Sequence, residues 1–320
     1  MPTSELQKRR LNTQARPTSG RARNNFLIYL CLLPGLLFLF VFSYYPFFSA
    51  FYFSLFQWDG VNSSYIGLQN FASIADDDRL FPAIKNIVIL TAAGVLWALT
   101  LPLIGAVCIN NFKSSKTARV YLVIFTIPMV IPWVVTVLVW QVLYDPIDGP
   151  INRFLYFIGL SQFAKAWLAD YETAIWALTF IGGGNTGVAF PFVAGLNLLV
   201  YLAGLINVPS EVKEAAKLEG ATSWQVFYRI ELPLIRTQVR INLIMTIITQ
   251  LQAFQTVILL TRGGPGYATM VPGFAMYQDA FFFSKMGYAS TLGVVLFLIM
   301  MLITVVVNKS LKSPTDFKPD

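Results

Sequence analysis

Apolar residues gather in six long runs, at roughly 26–56, 86–110, 119–144, 172–206, 238–261 and 286–308. A membrane crossing needs ~20 mostly apolar residues, so the pattern predicts an all-α integral membrane protein with about six transmembrane helices. No charged residue lies in the interior of a run; Lys85, Glu172, Arg240 and Lys285 stand at the edges. An ionised side chain at mid-membrane costs ~2.5–3.5 kcal/mol on insertion scales and is retained mainly for function. Neutral spans therefore argue against a proton-coupled carrier and against acid–base chemistry inside the bilayer.

The first and fourth runs exceed one perpendicular crossing. The first contains Pro34 and Pro46, and the fourth passes through "IGGGNTGVAFPF", Ile181 to Phe192. Breaks of this kind are tolerated where protein or a water-filled cavity takes up the freed backbone groups; close helix packing is the other reading of the glycines. In the fifth run Asn242, Thr246, Thr249, Ala253 and Thr256 recur at spacings of four, three, four and three. They share one helical face, with Gln252 at its edge and Gln250 and Gln255 pointing elsewhere. That stripe serves either interhelical hydrogen bonds or a neutral polar cavity, and spacing is compatible with both.

Composition agrees with the pattern: 56% of residues are hydrophobic, only 12% are charged, and mean hydropathy is +0.62. That is too little charge to cover a soluble fold of 320 residues. The net charge of +7 is explained by topology rather than nucleic acid. If the spans alternate, 17 of the 23 Lys and Arg fall on one side: the N-terminal stretch, the loop after the second span, the loop after the fourth, and the C-terminal tail. The positive-inside rule makes that side, and both termini, cytoplasmic. The other side carries Asp59, Asp76, Asp77, Asp78, Asp145, Asp148 and Asp170. Residues 1–25 read as a disordered basic tail, 26–308 as the transmembrane domain and 309–320 as a second tail. Cys31 and Cys108 lie in apolar runs and read as buried packing residues. Histidine is absent, which removes the commonest neutral-pH acid–base group and metal ligand.

One charged segment stands between two spans, within the loop 207–236. Ser210 is placed to cap a helix that carries Glu211 and Glu214 in its first turns. Gly220 stands where a left-handed C-terminal cap belongs, Thr222 with Gln225 predicts a capping box, and Pro233 predicts the end of the second helix. Both helices are too short to be stable alone, so the pair packs on its own membrane domain or on a partner.

Glu214-Ala215-Ala216, Gly220, Ile230 and Leu232-Pro233 resemble, at every defined position, the EAA signature of ABC importer permeases. The likeness extends to "SLFQWDG", "YIGLQNF", "LTRGGPGYAT" and "FSKMGYAS" and points to the carbohydrate-uptake branch, the maltose-type first permease subunit. Glu219 stands where aspartate is usual, and the "GGGNTG" run has no close counterpart in the family.

The resemblance implies a type I importer permease in a bacterial or archaeal cytoplasmic membrane, without an ATPase site, metal or cofactor of its own. ATP and Mg would sit on two partner ATPase subunits docked on the EAA helices. A second homologous permease would complete the pore, and an extracytoplasmic solute-binding protein would deliver a sugar. The absence of a P-loop pattern fits. Asn185, Thr186, Thr249, Gln252 and Thr256 are candidates for cavity hydrogen bonds. Trp140, Phe192 and Tyr288 are candidates for stacking on sugar rings, or for anchoring at the membrane interface. Glycerol phosphate or another non-sugar solute is the alternative cargo, and would favour a cation facing the cavity; only Arg262 and Lys285 come near, at edges. A membrane-embedded transferase would need paired carboxylates or a metal cluster, which the sequence lacks.

Overall fold

The computed structural model describes residues 18–112, 114–181 and 195–311 and forms two units, up to Tyr52 and from Phe53 onward. In the first unit α1 (Thr18–Leu39) passes through a π-turn, Phe40–Tyr44, into α2 (Tyr45–Phe53). Residues 18–25, expected as tail, are thus helical. An apolar helix already nucleated extends readily through Arg21, Ala22 and Arg23, all good helix formers.

The π-turn has a cause in the sequence. The Tyr45 N–H bonds the Phe40 carbonyl, and the next residue is Pro46, whose ring crowds the carbonyl four positions back. A widened turn moves that carbonyl aside.

In the second unit a hairpin of β1 (Phe56–Trp58) and β2 (Ser63–Tyr65) pairs Phe56 with Tyr65. The short α3 (Gln69–Ala72) then leads to α4 (Leu80–Asn110), the longest helix. The buried positions of α4 shrink along one face: Leu90, then Gly94, Ala98, Pro102, Gly105 and Ala106. This stripe lets α9 (Gly195–Ile206) and α13 (Arg236–Leu251) lie close along it, as small residues do in lipid. Near the start of α4, Leu80, Ile87 and Leu90 pack with Trp140, Tyr144, Leu178, Val257 and Phe274. Near its end, Ala106 and Ile109 pack with Leu198, Tyr201, Leu205 and Ile235.

Among the described residues three helical stretches are long and apolar enough to cross a membrane: Ile28–Phe53, Leu80–Asn110 and α16, Met286–Ser310. The third and fifth apolar runs are broken among the described residues. α5 (Ser115–Thr126) continues by a 3-10 turn to Val130, and α6 (Trp133–Leu143) departs at 90°. α7 (Pro150–Phe157) and α8 (Ala174–Ile181) follow. After α9 the chain turns by 69° into α10 (Ser210–Leu218). α11 (Ser223–Val226) and α12 (Leu232–Leu234) lead to α13; α14 (Gln255–Leu260) and α15 (Pro272–Phe281) precede α16.

Cys31 and Cys108 are both exposed on the chain, not buried. In a membrane protein an apolar run supplies lipid-facing positions as well as core, so hydrophobicity does not imply burial. Asn242 and Thr246 form interhelical bonds: the Asn242 amide donates to the Asn197 carbonyl at 3.1 Å, and the Asn197 amide to Thr246 Oγ1 at 3.4 Å.

Gly94 is the seat for Gln250 of α13, a fully buried side chain whose amide has no hydrogen-bond partner among the described residues. A Cβ at Gly94 would land on that carboxamide. Gly94→Ala is expected to destabilise the protein by ~1–3 kcal/mol, the usual cost of overpacking, and Gly94→Ala/Gln250→Ala to recover most of it. Thermal unfolding in detergent reads both; equal melting temperatures for Gly94→Ala and the unsubstituted protein would refute the contact.

Candidate functional site

The loop 207–236 leaves the membrane core at the end of α4. α10 begins at Ser210, but the N-cap position is Pro209 and no side chain caps it. Ser210 is thus the first helical residue, because Pro209 already sets the extended turn that starts the helix. The helix ends as expected: Gly220 has φ +85°, and the Gly220 and Ala221 N–H groups bond the Lys217 and Ala216 carbonyls. At α11 the capping box is complete, with Thr222 N–H donating to Gln225 Oε1 at 2.8 Å and Gln225 N–H to Thr222 Oγ1 at 3.3 Å.

Pro233 does not stop the second helix. A π-turn at Phe227–Glu231, in which Leu232 N–H bonds the Phe227 carbonyl, carries the chain past the proline into α12. The arrangement repeats the one before Pro46, for the same steric reason. Glu214 and Ala215 are exposed, Ala216, Ile230, Leu232 and Pro233 are half-buried, and Gly220 is exposed. Beside them large apolar side chains stand uncovered: Leu218 is 90% exposed and Trp224 71%. Trp224 stacks on Tyr228 at 6.4 Å.

A cavity of about 430 Å³ opens where α13 ends. Its walls include Thr249, Gln252, Gln255, Thr256, Phe254 and Met300, none of them ionisable. The helix is interrupted at residues 252–254, with α14 restarting at Gln255. The break explains why Gln255, expected to point elsewhere, lines the cavity: a continuous helical wheel no longer applies across it. The Thr256 hydroxyl accepts from Trp133 Nε1 at 3.2 Å, and the Gln252 amide lies 3.7 Å from Met300 Sδ. The Thr249 hydroxyl donates back to the Met245 carbonyl at 2.8 Å.

Three of the expected cavity residues, Thr249, Gln252 and Thr256, are therefore brought together. Trp140 is not with them: it is buried against Tyr144, 5.2 Å between ring centroids, and borders a separate apolar recess with Trp167, Trp176 and Phe180. Tyr288 lies at another site again, described below. Asn185, Thr186 and Phe192 lie outside the described residues.

A family model described as the binding-protein-dependent transport system inner membrane component matches residues 98–312. The chain belongs to this family. It is the membrane-spanning permease subunit of an ATP-driven, binding-protein-dependent importer. The permease is 33% identical over 314 residues to the diacetylchitobiose uptake system permease protein NgcF of Streptomyces coelicolor, covering 92% of this chain and 86% of that one. It is 28% identical over 290 residues to the multiple sugar-binding transport system permease protein MsmF of Streptococcus mutans, covering 90% and 96%. The fold matches a chain in the crystal structure of a bacterial alginate ABC transporter in complex with an alginate pentasaccharide-bound periplasmic protein. That match has a TM-score of 0.77 and 23% identity, and covers 92% of this chain and 98% of that one. The all-α membrane architecture expected from the apolar runs, and the importer-permease fold that the EAA resemblance implies, are the ones found.

At the end of α4 remote from the loop, the permease has an open bowl of about 920 Å³ lined by the β1–β2 hairpin, the Asp76–Arg79 turn and the residues before α16. Its floor is a charge network that the sequence did not announce. Arg79 Nη2 contacts Asp77 Oδ2 at 2.6 Å and Asp279 Oδ2 at 2.9 Å. The Tyr288 hydroxyl donates to Asp77 Oδ2 at 3.1 Å, so this ring is engaged as a hydrogen-bond donor in the bowl. Burial raises the Asp279 carboxyl above its ordinary range, and Arg79 only partly offsets this. Burial also pushes Asp77 up, but hydrogen bonds from Arg79 and its charge outweigh that and leave Asp77 lowered. Asp279 is 200 positions from Arg79, and no local signal pairs them.

Removing the guanidinium would strand a nearly buried carboxylate, with a cost of ~3–5 kcal/mol. Arg79→Ala is expected to lose about that much stability in detergent denaturation, and Asp279→Asn clearly less. Equal losses from the two would contradict a network organised around the buried Asp279 charge.

Proposed function

We propose that the permease forms half of the pathway for a neutral sugar or oligosaccharide and is driven through the 207–236 loop by two ATPase subunits. The observation that carries the coupling half is a capped helix pair whose Leu218 and Trp224 stand uncovered beside the exposed Glu214 and Ala215. Two short helices do not hold such a surface in water for its own sake. Glu214 would meet a cationic group on the ATPase, and the small Ala215 and Ala216 would let the two surfaces approach. ATP and Mg belong to those ATPase subunits, and this chain hydrolyses nothing. Closure of the ATPases would drag the docked loop and switch the pathway between outward- and inward-facing states. The loop side, with both termini, is then cytoplasmic, and the acidic bowl faces the solute-binding protein.

The cargo half rests on the cavity at the end of α13, where Thr249, Gln252, Gln255 and Thr256 offer hydrogen bonds without charge. Hydroxyl-rich solutes need such a wall; a phosphorylated cargo would need a cation there. The sugar-linked names of NgcF and MsmF point the same way.

One reconstituted system tests both halves. In liposomes carrying the full importer, Glu214→Lys or Gly220→Val is expected to insert normally yet lose ATPase co-purification and sugar-stimulated ATP hydrolysis. Gln252→Ala is expected to keep assembly while changing maximal transport or the order of preferred sugars. Full activity in the loop variants would refute the docking surface, and an unchanged sugar profile in Gln252→Ala would remove it from the pathway.

A further inference from the structure

α10 carries the exposed Glu214-Ala215 pair yet has no buried residue of its own. Chain connectivity holds it at its two ends, by the 69° turn from α9 and by the Gly220 turn. A helix anchored so lightly would absorb a push rather than transmit it. One charged side chain on it turns inward. Lys213 Nζ lies 2.8 Å from Glu231 Oε1, and the side chains are only 21% and 6% exposed. Among the described residues this is the ion pair that ties α10 to the rest of the protein.

The far end of that tie is firm. Glu231 closes the π-turn ahead of Pro233, and its carbonyl accepts the Ile235 N–H at 3.0 Å. Ile235 is 1% exposed and sits in the core with Tyr201, Leu205 and Ile109. It directly precedes α13, the helix whose other end carries Thr249 and gives way to Gln252 at the cavity. A route of contacts thus leads from α10 through Lys213 and Glu231 to Ile235 and along α13. It bypasses the turn at residues 207–209. Adjacent residues divide the labour: Lys213 faces in to the strut and Glu214 faces out.

We propose that the Lys213–Glu231 pair is a strut that makes the two helices of the loop and the base of α13 move as one body. The two side chains are positioning residues for the coupling of ATP hydrolysis to transport. The proposal rests on the reading that this loop meets the ATPases. A buried carboxylate that loses its only cation is strongly disfavoured, so the pair resists opening under load.

The test uses the complete importer in liposomes, with its partner permease, ATPases and binding protein, and measures sugar moved per ATP hydrolysed. Lys213→Met is expected to keep the ATPases co-purifying but to lower that ratio roughly tenfold, within the range of ordinary coupling free energies. Lys213→Arg, which preserves the pair, is expected to stay within about twofold of the unsubstituted protein. A simple loss of folded protein would lower both transport and hydrolysis and leave the ratio unchanged. If Lys213→Met does not assemble, Glu231→Gln removes the charge at nearly constant shape and is read in the same way. An unchanged ratio in the variant that assembles overturns the strut. Loss of ATPase co-purification in Glu214→Lys is a separate readout, so a failed strut and a failed docking surface are told apart.

Discussion

The close approach of α9 and α13 to α4 is the contact on which the rest depends. From Gly94 onward α4 offers no side chain larger than proline on its buried face until Ile109. In lipid there is no hydrophobic gain from bringing apolar helices together, so the association rests on van der Waals fit and on the few polar bonds. Asn197, Asn242 and Thr246 supply those bonds along one seam, and Gln250 fills the space that Gly94 leaves. With that seam tight, α13 is fixed at its base by Ile235 and at its end by the cavity wall, and a displacement at one end has little freedom to dissipate.

Broken helices sit at the ends of this packed region and not within it. α13 stops at Leu251, where side chains and backbone border a neutral cavity. Irregular backbone at membrane depth is tolerable where it lines such a space. At the other end, the π-turn before Pro233 lets a proline lie within a helix without ending it. The permease thus has a continuous lever between two discontinuities, one facing the proposed motor and one facing the proposed cargo.

What could be read in advance was local. The Thr222–Gln225 box and the Gly220 cap are set by residues within a turn of each other, and both formed as their chemistry requires. Polar residues of the fifth run divided between two roles that spacing left open: Asn242 and Thr246 tie helices, while Thr249, Gln252 and Thr256 border the cavity. The interruption at residues 252–254 escaped notice because it contains neither glycine nor proline. Pro233 misled in the opposite sense, since a π-turn absorbs it. The pairs Arg79–Asp279 and Lys213–Glu231 depend on tertiary approach and left no periodic trace. Cys31 and Cys108 show a further limit, because an apolar run does not say which face meets lipid and which meets protein.

The central claim is that the loop and α13 form one rigid body during the transport cycle. Spin labels at Val212 and Met245, both exposed, in a variant with Cys31 and Cys108 replaced by serine, measure the distance between α10 and α13 in the assembled importer. The account predicts the same distance distribution without nucleotide and with ATP bound, while labels placed across the two permease subunits report movement. A Val212–Met245 distribution that shifts with ATP would contradict it.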